Sequence, residues 1–208
     1  MSHRVALLVG AGSPLGGQLA RGLAAGGARV ALDDLLPNHI EALAAELNAA
    51  GGEAVALPAD LSRKLALQTM LQAILETWER IDILIFIPSV QPGVPLLDLD
   101  EWDWHRALDL NLSAAFLCMQ SVGRIMRQLG GGVIVNVLEK SRVASPVYEA
   151  AAAGLVALTR AAFAEFAMHN VHSHSLSGEN IDPQTILKLC LLEKSPVANL
   201  HLKEHPHV

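Results

Sequence analysis

The chain has 208 residues, 51% of them apolar, and a formal charge of −6. That length suits one domain with a single sizeable core, spanning 1–208, and the composition excludes a disordered chain. The negative balance excludes the basic footprint of a nucleic-acid binder, and no sequence run reads as a membrane span or signal peptide, so a cytoplasmic protein is expected.

Strand-like and helix-like segments alternate from the N-terminus. "RVALLV" reads as a buried strand, followed by the glycine loop "VGAGSPLGG" and the helical "LGGQLARGLAAGG". "ARVALD" is a second strand and "PNHIEALAAELNAAGG" a helix closed by glycines. "EAVALPAD" is a third strand, and "SRKLALQTMLQAILETWER" the helix after it. "IDILIFI" is apolar throughout, as a strand covered on both faces should be. A Pro-rich loop, "PSVQPGVP", leads to one long helix from about Asp100 to Leu129. "GGVIVNVL" is a fifth strand, "PVYEAAAAGLVALTR" begins the next helix, and "NVHSHSLSG" is a sixth strand. "ENIDPQTILKLCLLEKS" is helical, and "VANLHLKEHPHV" a stunted last strand and tail. This alternation predicts an α/β fold: a single Rossmann-like three-layer αβα sandwich with a mainly parallel sheet. Cys118 and Cys190 form no CxxC and are expected to be reduced core residues.

Three features point to a ligand. Gly10, Gly12 and Gly16 lie between the first strand and first helix, where bare backbone and a helix N-terminus can meet a pyrophosphate. The spacing is not GxGxxG, because position 15 is Leu. The second strand ends in Asp33-Asp34, and Asp34 stands where a carboxylate would accept bonds from an adenosine ribose; the plainer reading is a loop or capping acid. Tyr148 opens a helix in which four alanines follow Glu149. The plainer reading of Tyr148 is a packed residue with its hydroxyl bonded.

On these residues the chain resembles the short-chain dehydrogenases/reductases. Val9-Gly10-Ala11-Gly12-Ser13-Pro14-Leu15-Gly16 is similar to the family's TGxxxGxG, with Pro14 in place of the middle glycine. "PADLS", "LDLNLSAAFLCMQ", "GGVIVNV" and "AGLVALTRAAFAEFA" are similar to further family segments in order. The resemblance implies cofactor-binding roles for Gly10, Gly12, Ser13, Leu15, Gly16, Asp34, Asp60 and Leu61. Asp60 would hold the adenine edge. The resemblance also implies a catalytic tetrad of Asn, Ser, Tyr and Lys. Asn111 and Tyr148 match it, while its Ser falls on Glu139 and its Lys on Ala152. The glycine beside the nicotinamide becomes Ser89, and Lys140 or Ser141 could substitute for the lost groups only if the segment after the fifth strand re-aimed their side chains. The family's substrate lid after the sixth strand is expected to be mostly deleted, and its metal content is expected to be none.

Three readings follow. The first is an NAD-binding member with impaired catalysis, acting as sensor, scaffold or partner of an active paralogue. The second is a working NAD-dependent oxidoreductase on a small carbonyl or alcohol. The third is a structural module with an empty cleft and no cofactor. NAD is expected over NADP, because Asp34 would meet a 2′-phosphate with like charge. A homodimer or homotetramer is expected through the Tyr148 and Asn111 helices, with no nucleic-acid or membrane partner. His172 and His174 share one face of their strand, and His201, His205 and His207 cluster in the tail; all are expected to be solvated rather than metal ligands. Trp78, Trp102 and Trp104 are expected to serve packing or an interface.

Overall fold

The structure is a computed structural model that describes residues 1, 3–140, 143, 145–191 and the backbone of 199–201. Its elements in chain order are β1 (Val5–Val9), α1 (Pro14–Ala25), β2 (Arg29–Asp33), α2 (Pro37–Ala49), β3 (Glu53–Ala56), α3 (Lys64–Trp78) and β4 (Ile83–Phe86). There follow α4 (Glu101–Leu108), α5 (Ala114–Leu129), β5 (Gly132–Glu139), α6 (Pro146–Phe166), β6 (Val171–Gly178), α7 (Pro183–Leu191) and β7 (Asn199–His201). The seven strands pair in the order β3-β2-β1-β4-β5-β6-β7, each pair parallel. This is the expected Rossmann-like sandwich. The chain runs outward from β1 to β3, then returns to β4 on the other side of β1. That reversal opens a crevice at the strands' carboxyl ends, where such sheets hold ligands.

Each sheet face is covered by helices. Leu19, Leu23, Ile40, Leu47 and Ile186 from α1, α2 and α7 cover one. Leu67, Ile74, Met119, Val122 and Leu155 from α3, α5 and α6 cover the other. Every residue of β1 and β4 is buried, which is why both read as unbroken apolar runs rather than alternating ones. Both cysteines are free and buried, as expected.

Four expectations change. The third strand is only Glu53–Ala56, not the run to Asp60. Leu57 N–H still donates to the Leu32 carbonyl at 2.8 Å, but Pro58 has no N–H to continue the ladder. The long helix is interrupted by a π-helical turn at Asp109–Ser113, which divides α4 from α5. His174 is buried, not solvated, because β6 is an interior strand between β5 and β7. Finally, one described helix, Pro146–His169, has the length and hydropathy to cross a membrane. Its run of alanines raises the hydropathy without forming an obvious apolar block. It packs on the sheet through Val147, Tyr148, Ala151, Leu155, Thr159 and Ala162. No three His, Cys, Asp or Glu among the described residues could jointly hold a metal ion.

Candidate functional site

The crevice is bounded by the loop after β1, the end of β2, the segment after β3, the end of β4 and the start of α5. Val9, Gly10, Asp33, Asp34, Leu35, Ala59, Leu61, Phe86, Ile87, Ser89, Val90, Leu110 and Ala114 line it.

The loop is held by its own sequence. Ser13 is the N-cap of α1: its Oγ accepts from Gly16 N at 3.0 Å and donates to the Gly10 carbonyl at 2.9 Å. Such a cap stabilises a helix by about 1 kcal/mol. Pro14 occupies the first helical turn, where its missing N–H costs nothing. The family glycine it replaces is therefore not needed for this turn. Gly10 has φ +81° and abuts the Ile87 carbonyl, so a side chain there would be both strained and blocked. A Cβ on Gly16 would run into the Gly10 carbonyl and lie 2.8 Å from Ala11 Cα. These two glycines let the loop close tightly against β4 and against α1. The Leu15 side chain points away from the crevice into the core, so only its backbone can serve a ligand.

Asp34 is fixed beside this loop. Its Oδ2 accepts from Gly12 N at 3.0 Å and its Oδ1 from Leu36 N at 3.1 Å. A carboxylate thus stands beside the glycine loop. Among the crevice-lining residues none is Lys or Arg. Leu61 is buried and is one of the lining residues.

Asp60 is more engaged than its sequence context suggests. Ser62 Oγ donates to its Oδ1 at 2.5 Å, and Arg106 Nη1 to its Oδ2 at 3.2 Å. Burial alone would raise its carboxyl, but the Ser62 and Arg106 bonds outweigh that and hold it below the usual carboxylate range. Arg106 was not foreseen, because the two residues are 46 positions apart and meet only through the fold.

Asp33, the other half of the pair, was passed over as a site residue. It is 3% exposed, and its Oδ1 accepts from Ala59 N at 2.9 Å. Burial, partly offset by that bond and reinforced by the charges of Asp34 and Asp60, raises its carboxyl to about 8. Strand alternation is the signal that could have found it. Consecutive acids at a strand end face opposite ways, so one of the two had to turn inward.

The catalytic candidates are not among the residues that line this crevice, although Asn111 follows the lining residue Leu110. Asn111 sits in the π-helical turn, a distortion often found at functional positions. Its amide makes a paired contact with Val90: Oδ1 accepts from Val90 N at 3.1 Å and Nδ2 donates to Val90 O at 2.6 Å. The turn also packs against α6, where Gly154 leaves room for Leu112. Tyr148 is buried, and its hydroxyl donates to the main-chain carbonyl of Glu139 at 2.7 Å. Burial first, then the charges of Glu139 and Glu149, push its pKa well above the tyrosine range, with only Gln91 pulling the other way. Ala152, one turn beyond Tyr148, packs against the apolar cluster under α6 and carries no charge. Lys140 pairs with Glu179 at 2.9 Å, and Ser141 lies outside the described residues, as do the side chain of His201 and all of His205 and His207. Residues 179–182 join β6 to α7.

A family profile described as short chain dehydrogenase matches residues 4–185. The chain is 33% identical over 181 residues to a D-threitol dehydrogenase of Mycolicibacterium smegmatis, covering 85% of this chain and 70% of that one. It is 28% identical over 207 residues to a 3-oxoacyl-[acyl-carrier-protein] reductase of Synechocystis, covering 93% and 84%. Among solved structures, a short chain dehydrogenase from Mycobacterium smegmatis superposes with a TM-score of 0.89 over 99% of this chain and 94% of that one. At 23% identity that last likeness speaks to the fold alone.

Proposed function

The chain belongs to the short chain dehydrogenase family, and we propose that it uses the family's crevice to bind NAD by the adenosine half without carrying out hydride transfer. The observation that carries this reading is the contrast between the glycine-loop crevice and the surroundings of Tyr148. In the crevice the residues fit: a loop closed by Gly10 and Gly16, a fixed Asp34 and apolar lining residues. Around Tyr148 they do not. A nicotinamide cofactor supplies a hydride, but the protein must supply a proton at a tyrosine hydroxyl. Here that hydroxyl is already bonded to the Glu139 carbonyl, in surroundings that oppose its ionisation. Ala152 offers no charge to reverse that and no grip on a ribose.

NAD is favoured over NADP because Asp34 is held by two backbone N–H groups and cannot retreat without losing both. A 2′-phosphate would meet that charge with no lysine or arginine among the described residues that line the crevice. The role is that of a nucleotide-responsive scaffold or a partner to an active paralogue.

Assembly belongs to the same reading. Ala150, Ala153, Ala157, Ala161 and Ala164 are exposed and recur at three- and four-residue spacing along α6. Only 22% of the most apolar window of this helix is buried within the chain. Phe116 of the neighbouring α5 is also 43% exposed. A second copy of the chain, packing α6 on α6, covers this face, giving a homodimer.

The test is calorimetric titration with NAD, NADP and ADP beside an assay of NADH formation and consumption. Binding of NAD and ADP with no turnover supports the reading; binding of none of the three would leave an empty structural module.

A further inference from the structure

We propose that Asp33 reads the base of a bound adenosine nucleotide from the floor of the crevice, donating a hydrogen bond from its carboxyl. The proposal rests on the nucleotide-binding reading above and adds the residue that recognises the base.

Asp33 ends β2, opposite Val9 on β1. It lines the crevice together with Leu35, Leu61, Phe86, Leu110 and Ala114. These apolar walls suit the two faces of a flat ring. One carboxyl oxygen is committed to Ala59 N at 2.9 Å. The other has no hydrogen-bond partner among the described residues, although the residue is only 3% exposed. Asp33 lines the crevice, so a ligand lying there can meet that oxygen.

The groups around Asp33 decide which form it takes. Asp34 is next in the chain, and Asp60 faces it from the segment after β3; both oppose a third negative charge. Cys118 on α5 stays a thiol, its pKa raised by burial and then by Asp33. Arg106 on α4 reaches Asp60 rather than Asp33. The carboxyl, raised to about 8, therefore keeps its proton at neutral pH. A protonated carboxyl presents a donor beside an acceptor, whereas a carboxylate only accepts. A ring nitrogen of adenine accepts from such a donor, while the other carboxyl oxygen stays with Ala59 N. Ionisation would turn the carboxyl's donor into a second acceptor facing that ring nitrogen. The nucleotide should accordingly bind the protonated form and take up a proton where Asp33 is already ionised.

The experiment is calorimetric titration with ADP, whose phosphates are fully ionised above pH 7.5, at pH 7.5, 8.5 and 9.5. Heats are recorded in two buffers of different ionisation enthalpy. The wild-type affinity should fall more than tenfold across the series, with proton uptake on binding at pH 8.5. Asp33→Asn keeps a donor and an acceptor at every pH. It should bind within threefold of wild type at pH 7.5, lose the pH dependence and take up no proton. Asp33→Ala should bind about tenfold more weakly than wild type at pH 7.5, with a flat profile. Binding of ADP by the wild type with a flat profile, or the same fall in Asp33→Asn, overturns the role of Asp33 and leaves the nucleotide-binding reading standing. No ADP binding at any pH overturns that reading, and this one with it.

Discussion

The hydroxyl of Tyr148 and the main-chain carbonyl of Glu139 are joined by a 2.7 Å hydrogen bond that ties the first turn of α6 to the end of β5. On the function proposed above, this side chain serves as a structural tie. Its removal should be felt in stability. Tyr148→Phe should lower the unfolding free energy by about 1 kcal/mol, the usual net worth of such a bond. Its affinity for ADP should not change. Urea unfolding and titration of the same preparation check both, and a loss of nucleotide binding without loss of stability would contradict the structural role.

Restoring the family residues should not restore the reaction. Glu139→Ser with Ala152→Lys supplies the missing groups but leaves the Tyr148 hydroxyl bonded to a backbone atom that neither change removes. No enzyme-like rate, on the order of 1 s⁻¹, is expected with simple ketones or alcohols and either nicotinamide cofactor. Turnover at that level in a steady-state assay would show that the crevice lacks only those two side chains.

Asp33 makes stability fall as pH rises. Its pKa is about 8 in the folded chain and about 3.9 when unfolded. Below both values the carboxyl is protonated in either state, and its contribution is fully present. Between them the unfolded chain has released a proton that the folded chain retains. Unfolding therefore becomes easier by up to about 1.4 kcal/mol per pH unit until pH passes about 8. Asp33→Asn removes that slope. Measured by urea midpoints from pH 5 to pH 9, the variant should gain on wild type steadily as pH rises. Parallel curves would mean that Asp33 is ionised throughout.

The exposed alanine stripe gives a prediction about assembly. Ala157→Glu places a charge in the middle of that face without touching the core, since Ala157 is exposed. Light scattering should show a dimer for wild type and a monomer for the variant, with unchanged circular dichroism. A wild-type monomer at tens of micromolar removes the claim.

Much of this architecture was readable from the chain. β1 and β4 stand out because full burial leaves no polar residue in them, and the glycine loop because Gly10 and Gly16 have no room for a side chain. The π-helical turn at Asn111 was not readable: "DLNLS" contains no breaker, and the turn is visible only in the backbone. Nor was the tie from Tyr148, whose acceptor is a carbonyl that every residue possesses. Arg106 meets Asp60 across 46 residues, a pairing that only tertiary packing creates. The Asp33-Asp34 pair was half read. The acid facing the loop fitted an expected role, while its neighbour, turned into the floor, had none to suggest it.

Competitive titration of NAD against NADP, with ADP as the reference, tests the central claim most directly. If Asp34 sets the preference and the adenosine half supplies the affinity, ADP should bind within a few-fold of NAD, and NADP at least tenfold more weakly than either. NADP binding more tightly than NAD, or NAD exceeding ADP by a hundredfold, would contradict the account.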